Sequence, residues 1–169
     1  MGQGTFEIER RYLVRVADDG WEALAGGRSF RQGYVVAGDP SIRIRVGEAR
    51  GPVLAFKAGK GVVRREVEAL VPLDMAEALL EAAGGRVIRK TRYRLGPWEL
   101  DRYEGPLEGL TLLEIELAGA ADPIPPPPTG IDILREVTED KRFVGSDLAS
   151  MSEAEQRSHV GRAYREGEA

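Results

Sequence analysis

The stretch TFEIERRYLV, residues 5–14, alternates charged and apolar side chains with a period of two. Glu7, Glu9 and Arg11 fall on one side of this pattern, and Phe6 and Ile8 fall on the other. Successive side chains of a β-strand point to opposite faces, so the stretch is predicted to be a strand with one ionic and one apolar face. The fold depends on where that ionic face lies.

The same alternation continues along most of the chain. It predicts strands at residues 5–15, 29–36, 41–47, 53–58, 63–71, 88–95, 98–104 and 111–117. Turn sequences containing Gly or Pro separate most of these segments. Parallel strands need crossovers of a dozen or more residues, so the short links predict an antiparallel, mainly β fold of the α+β class.

Two helices are expected between the strands, at residues 18–25 and 73–83. In the second helix, Asp74 can cap the first turn and Gly84 follows the last turn. Its predicted apolar stripe consists of Met75, Leu79 and Leu80. Such a stripe is typical of a helix that covers a sheet or a barrel.

The C-terminal third follows a different pattern. DPIPPPPTG, residues 122–130, is predicted to be a stiff polyproline connector, with a ligand for a partner protein as the alternative. A short segment at 132–138 and a helix near 146–165 follow. Residues 1–150 are therefore expected to form one domain, and 151–169 a polar helix or tail that frays.

Composition excludes several classes of protein. The chain has 169 residues, no cysteine and a net charge of -4 with interspersed signs, which argues against disulfides and against a nucleic-acid partner. It has no long apolar run and no basic-apolar leader, so a cytoplasmic protein without a membrane partner is expected. The only histidine is His159 in the polar tail, which argues against a histidine-based triad or metal site.

Two architectures fit the strand pattern. An open sheet with its ionic face in water is the commoner solution. The alternative is a closed barrel with the ionic face inside and helices covering its apolar exterior. Three features favour the barrel: eight strands can close and remove their edges, the ionic faces contain few Ser, Thr or Gln residues, and like charges lie two apart within single strands.

Paired rows of like charge indicate ligands of opposite sign. The basic row comprises Arg43, Arg45, Lys57, Lys90, Arg92 and Arg94, and the acidic row comprises Glu66, Glu68, Glu99, Asp101, Glu114 and Glu116. Arginine and lysine suit phosphate oxygens, whereas carboxylates suit Mg²⁺ or Mn²⁺. An enclosed space with both rows would hold a metal-bound polyphosphate.

The ordered motifs EIERRYLV, RQGY, IRIR, FK, REVE, KTRY, WELD, LLEIEL and EVTEDKRF resemble the CYTH-domain family, also called triphosphate tunnel metalloenzymes. The resemblance runs from Glu7 to about Leu148. It implies an eight-stranded antiparallel barrel that forms a charged tunnel. It also implies hydrolysis of a triphosphate with Mg²⁺ or Mn²⁺, most closely that of the short bacterial inorganic triphosphatases.

The resemblance also implies roles for individual residues. The metal-binding acids would be Glu7, Glu9, Glu66, Asp101, Glu114 and Glu116. The substrate-binding cations would be Arg11, Arg43, Arg45, Lys57, Lys90, Arg92 and Lys141, and Arg11, Tyr34 and Lys90 would take part in catalysis. Glu68, Arg64 and Arg94 share the inward face, while Tyr34 and Lys141 could equally be a rim aromatic and a surface lysine.

One position departs from the family pattern. The family motif is Glu-x-Glu-x-Lys, whereas this chain has Arg11 in the place of the lysine. Arginine neutralises phosphate charge but effectively cannot give up a proton. If that position must act as a base, activity should fall or its pH optimum should shift.

Other functions remain open at this stage. The same barrel could serve an adenylyl cyclase, a thiamine or nucleoside triphosphatase, or a polyphosphate-binding module without catalysis. The apolar exterior leaves room for a homodimer.

Overall fold

The computed structural model describes residues 5–17, 24, 26–59 and 62–167. Its strands are β1 Thr5–Val16, β2 Arg28–Val36, β3 Ser41–Val46, β4 Val53–Ala58, β5 Val63–Leu70, β6 Val87–Leu95, β7 Trp98–Tyr103, β8 Thr111–Glu116 and β9 Ile131–Glu136. Its helices are α1 Leu73–Ala82, α2 Gly145–Ser150 and α3 Glu153–Gly167, with 3₁₀ turns at Gly105–Leu107 and Lys141–Phe143. The predicted helix at 18–25 lies outside the described residues, except for Leu24.

The first eight strands form a closed antiparallel barrel. Each strand is hydrogen-bonded to its neighbour in the order β5-β4-β3-β2-β6-β7-β8-β1, and pairing of β5 with β1 closes the ring. The eight predicted strands and their antiparallel arrangement are therefore confirmed. Closure leaves no free edge between these strands.

Strand β1 is long enough to pair with three other strands. Thr5–Ile8 pair with β5, Glu9–Leu13 pair with β8, and Tyr12–Val16 pair with β9, with a register shift between Leu13 and Val14. Strand β9 was not predicted, because its sequence IDILRE alternates weakly and its pairing partner lies more than 100 residues away. It extends the sheet beyond the barrel.

Helix α1 covers part of the exterior, but not as the sequence predicts. The N-cap is Pro72, which offers no side-chain cap, and Asp74 instead accepts a hydrogen bond from the Met75 amide inside the first turn. The buried residues of α1 are Ala76 and Leu80, whereas Met75 is 49% exposed. Leu79 and Leu80 of the predicted stripe therefore pack on the barrel, whereas Ala76 takes the place predicted for Met75.

Strand β9 and the proline-rich connector pack on another part of the barrel exterior. Tyr12, Val14 and Trp98 form an apolar cluster with Ile131 of β9. The proline-rich connector lies against this cluster, since the indole nitrogen of Trp98 donates a hydrogen bond to the Pro126 carbonyl. A strand and a polyproline segment therefore cover part of the barrel in addition to the helices that the sequence predicts.

The C-terminal region forms two helices rather than one. Ser152 starts α3 through a capping box, in which its amide donates to the Glu155 carboxylate at 2.7 Å and its hydroxyl accepts from the Glu155 amide at 3.3 Å. The expected fraying is not observed, because α3 continues to Gly167 and buries His159 and Ala163 against the protein. No helix in the described ranges is long and apolar enough to span a bilayer.

One end of the barrel interior is apolar. The inward-facing residues here are Leu13, Tyr34, Ile88, Tyr103 and Leu112, and they belong to one buried cluster with Phe143, Leu148 and Ala149. Residues 143–149 therefore pack into this end of the barrel. We call residues 143–149 the plug. The charged part of the interior lies next to it, towards the other end of the barrel.

His159 makes the attachment of α3 sensitive to pH. The imidazole is 2% exposed, stacks edge-on against Phe143 and has a buried Nε2 with no hydrogen-bond partner among the described residues. Burial, and secondarily Arg142 and Arg162, lower its pKa, although Asp140 and Glu166 act in the opposite direction. Protonation is therefore less favourable in the folded protein than in the unfolded chain.

We expect stability to be complete above the unfolded pKa of about 6.5 and to fall as the pH decreases below it. Thermal melts at pH 7.5 and pH 5.5 would measure this loss. In a His159→Leu variant the decrease should be smaller. Equal decreases in both proteins would contradict the assignment to His159.

Candidate active site

The barrel encloses a cavity of about 910 Å³. Its basic lining residues are Arg11, Arg28, Arg43, Arg45, Arg50, Lys57, Arg64, Lys90, Arg92 and Arg94, and its acidic lining residues are Glu7, Glu9, Glu48, Glu66, Glu68, Glu99, Glu114 and Glu116. The ionic faces of the strands thus point inward, as the barrel hypothesis predicts. Charges that are surrounded by protein interact more strongly than charges on a surface exposed to bulk water.

The strand register brings acids and bases opposite each other. Arg11 faces Glu114 across β1 and β8, and Lys57 faces Glu66 across β4 and β5. The register also sets like charges opposite each other, because Glu9 faces Glu116. Opposed like charges are destabilising unless a cation lies between them.

Arg11 is the most tightly held cation in the cavity. Its Nε donates to Glu114 at 2.6 Å, its Nη2 to Glu9 at 2.5 Å, and its Nη1 to the Phe143 carbonyl at 3.2 Å. Burial alone would lower the pKa of Arg11, but Glu114 and Glu9 raise it above its ordinary value. The guanidinium is therefore a permanent positive charge in a fixed plane.

Lys90 and Arg92 share one carboxylate. Arg92 donates to both oxygens of Asp101 at 2.6 Å, and the Lys90 ammonium also bonds one of them. Burial, together with the neighbouring Arg92 charge, lowers the pKa of Lys90 to about 8. Arg92 continues the network by donating to Glu114 at 2.7 Å.

The opposite wall repeats this arrangement with Glu7 at its centre. Lys57 donates to both oxygens of Glu7 at 2.8 and 3.0 Å, and Arg64 contacts Glu7 at 3.4 Å and Glu9 at 3.2 Å. Glu66 lies 3.2 Å from Lys57. Each cation on this wall is thus shared between two carboxylates.

Glu48 and Arg50 of the β3–β4 loop extend the charged lining of the cavity. Glu48 pairs with Arg45 at 2.6 Å, and Arg50 pairs with Glu68 at 2.6 Å. Arg43 contacts the same Glu68 at 3.2 Å. An anion bound in the cavity would therefore compete with Glu48 and Glu68 for these arginines.

Glu116 differs from the other acids of the cavity. Within the described ranges it makes no ion pair, and burial followed by the charges of Glu7, Glu66 and Glu9 raises its pKa. Oε1 of Glu66 makes ion contacts with Lys57 at 3.2 Å and Arg43 at 3.5 Å, but it accepts no well-formed hydrogen bond among the described residues. The repulsion at Glu116 fits a divalent cation, because a metal would relieve it.

A ready-made metal site is nevertheless absent from the part of the chain that the structure describes: no group of three or more acids or histidines is arranged to hold an ion. The cause is visible in the geometry. Glu7 and Glu9 are turned towards Lys57, Arg11 and Arg64. These carboxylates must exchange cationic side chains for a metal before they can bind one.

Two predicted site residues do not line the cavity. Asp101 is fully buried beneath it, where its two oxygens accept hydrogen bonds from Lys90 and Arg92, so it orients those cations instead of facing a ligand. Lys141 is exposed at the start of the 3₁₀ turn that leads to the plug. All other predicted site residues line the cavity.

Sequence reasoning missed several lining residues. Gln32 and Phe30 share the inward face of β2 with Tyr34, a placement that the period of two could have revealed. Glu48 and Arg50 lie in a loop without periodicity, so no pattern pointed to them. Residues 144–146 line the cavity from the C-terminal segment, and only the tertiary fold brings them there.

Comparisons with other proteins agree with this geometry. No family model matches the chain. An inorganic triphosphatase from Acetivibrio thermocellus is 35% identical over 148 residues, which cover 84% of this chain and 92% of that protein. An inorganic triphosphatase from Nitrosomonas europaea is 37% identical over 152 residues, covering 85% and 96%.

A solved structure gives the same result. The crystal structure of an inorganic triphosphatase superposes with a TM-score of 0.58 at 32% identity, covering 90% of this chain and 99% of the other. Identity above 30% over most of both chains extends the likeness from the fold to the sequence. The chain therefore belongs to the inorganic triphosphatase family.

Proposed function

We propose that the protein hydrolyses inorganic triphosphate to diphosphate and orthophosphate inside the barrel, as a CYTH-type triphosphate tunnel metalloenzyme. One observation carries the proposal: basic and acidic rows converge on one enclosed cavity. Phosphoryl transfer needs mainly positioning and charge neutralisation, and such a cavity supplies both.

The cations of the cavity bind the substrate. Arg43, Arg45 and Lys57 grip phosphate oxygens from one side, and Lys90 and Arg92 do so from the other. A water oxygen forms a bond to the terminal phosphorus while the bond from that phosphorus to its bridging oxygen breaks, and diphosphate leaves with the bridging oxygen. One proton of the water stays on the new orthophosphate, and the other passes to the diphosphate. The fixed positive charges stabilise the negative charge that develops on the leaving group.

Mg²⁺ or Mn²⁺ would be held by Glu9 and Glu116, and by Glu7 and Glu66 once Lys57 binds a phosphate oxygen in place of these two carboxylates. When bound, the metal supplies charge neutralisation and acidifies a water molecule. Glu114 is a weaker candidate than the sequence predicts, because both its oxygens accept hydrogen bonds from Arg11 and Arg92. Despite its burial, these arginines hold the pKa of Glu114 well below its usual range.

Substrate and metal are expected to bind together. When Lys57 or Arg64 binds a phosphate oxygen, it releases the carboxylate of Glu7 or Glu9. That carboxylate then becomes available to the metal. The cations that bind phosphate and the carboxylates that bind the metal thus pair with each other until substrate and metal replace those pairs.

Turnover of the purified protein is the direct test of function. We expect Mg²⁺- or Mn²⁺-dependent release of one orthophosphate and one diphosphate per inorganic triphosphate, slower release from ATP and thiamine triphosphate, and none with chelator. Phosphate assays and a cyclic AMP assay would measure these products. Formation of cyclic AMP would support the cyclase alternative, and tight binding of triphosphate without turnover would support the binding module.

The substitution Glu116→Gln should separate stability from activity. Removing the charge relieves repulsion with Glu7, Glu9 and Glu66, so the metal-free protein should melt at a higher temperature. The metal concentration for half-maximal activity should rise by about tenfold, since a carboxylate ligand is lost. Metal titrations of the rate and melts with chelator would measure both effects.

Glu81→Gln is the matched control for this prediction, because Glu81 is an exposed carboxylate on α1. It should change neither quantity. A Glu116→Gln protein with unaltered metal dependence would remove Glu116 from the proposed metal site.

The substitution Arg11→Lys tests the departure from the family motif. A single ammonium cannot make the three bonds of the guanidinium in one plane, so stability should fall by about 1–3 kcal/mol. Turnover should persist if this position supplies charge alone. Chemical denaturation would measure the loss of stability, and a pH–rate profile would show whether the lysine adds an ionisation. A large gain in turnover would indicate that the family needs a titratable group at this position.

A further inference from the structure

Gln32 and Tyr34 form a buried polar pair on the inward face of β2. Both line the cavity, although only 3% of Gln32 and 5% of Tyr34 are exposed. The family pattern points to Tyr34, whereas nothing in the sequence analysis assigns a role to Gln32. The geometry of the pair suggests one.

The hydrogen bond between them has a defined direction. The Gln32 amide Nε2 donates to the Tyr34 hydroxyl oxygen at 2.6 Å. Because the amide supplies the proton of this bond, the hydroxyl's own proton remains available. Oε1 of Gln32 has no partner among the described residues, so its acceptor is not used to bind that proton.

The charged groups that act most strongly on Tyr34 are arginines, which cannot accept its proton. Arg43, Arg11 and Arg45 are the charges that act on it most strongly, and guanidinium groups only donate. A phosphate oxygen, in contrast, only accepts. Burial raises the pKa of Tyr34, so the hydroxyl keeps its proton at neutral pH.

Gly145 fixes the other side of the hydroxyl. A Cβ atom at this position would lie 2.2 Å from the Tyr34 oxygen and 3.2 Å from the Gln32 nitrogen. Only glycine lets the C-terminal segment approach the pair this closely. The hydroxyl oxygen is therefore held between the amide of Gln32 and the backbone of residue 145.

We propose that Gln32 is a positioning residue that orients the Tyr34 hydroxyl as a hydrogen-bond donor to a phosphate oxygen of the bound triphosphate. This inference rests on the proposed function, since it assumes a triphosphate in the cavity. Gln32 acts only through Tyr34, and Tyr34 touches the substrate. The predicted signature is therefore energetic coupling between the two residues.

A double-mutant cycle tests the coupling. Gln32→Met keeps the side-chain volume but removes the amide, and Tyr34→Phe removes the hydroxyl. We expect each to lower kcat for inorganic triphosphate by about tenfold with little change in KM, since the bond strengthens as charge develops. The double variant should be no slower than Tyr34→Phe; a product of the two effects, near a hundredfold, would overturn the proposal.

A second substitution tests the direction of the bond. In Gln32→Glu the carboxylate can only accept, so the Tyr34 hydroxyl would turn towards it and away from the substrate. Adding Tyr34→Phe to the Gln32→Glu protein should then lower kcat no further. Any effect of the added negative charge on kcat is present both with and without Tyr34→Phe, so it cancels in this comparison. A persistent tenfold cost of Tyr34→Phe in the Gln32→Glu protein would contradict the assigned direction.

Gln156→Met provides the matched control. Gln156 is also a buried amide, and its Nε2 donates to the Leu148 carbonyl at 2.8 Å away from the cavity. This variant should lower the melting temperature without lowering kcat. A similar loss of kcat in Gln156→Met would mean that the Gln32 effect reflects general loosening of the fold.

The cycle can be read even if the proposed function fails. Absence of triphosphate turnover by the wild-type protein would refute that function. The same variants would then be compared by calorimetric affinity for inorganic triphosphate, where the Tyr34 donor should contribute about tenfold and only when Gln32 is present. Equal affinities of the wild-type protein and Tyr34→Phe would overturn the inference independently.

Discussion

The structure depends on the pairing of charges inside a closed barrel. Asp101 joins Lys90 to Arg92, and Arg92 in turn bonds Glu114, which binds Arg11. Burying an unpaired charge costs several kcal/mol, so each member of this network is tolerated only because its neighbours are in place. Removal of one partner is expected to cost about 3–5 kcal/mol, which makes the network a condition for folding as well as a binding site.

The same constraint explains how the cavity can accommodate a polyanion. Its cations are held by carboxylates that a phosphate can replace, so binding exchanges one set of ionic contacts for another and little reorganisation is required. Glu116 is the exception, because it faces Glu9 and lacks a cation of its own within the described residues. Such a residue costs stability in the folded protein, and the proposed metal would recover that stability.

Much of this architecture follows from the period of two. It predicts the eight strands and the charged face of each one. Because the barrel is closed, that face of every strand lies inside, and its acidic and basic side chains point inward. It could not place Asp101 beneath the cavity, since depth along the barrel depends on the register with neighbouring strands. It also says nothing of Lys141, which lies in a 3₁₀ turn after the last strand. It also missed β9, whose partner is distant in sequence, and the Ser152–Glu155 cap was not recognised within the polar tail.

Arg11 shows why the local motif and the surrounding fold must be considered together. By sequence alone, an arginine in place of a lysine removes a group that can exchange a proton. In the structure, this side chain also connects Glu9 and Glu114 to the Phe143 carbonyl of the plug. The C-terminal segment, which also contributes Gly145 beside Tyr34, is thereby tied to the charged wall of the cavity. The substitution therefore exchanges a titratable charge for a fixed one that also anchors part of the site, and any proton transfer must occur elsewhere in the cavity.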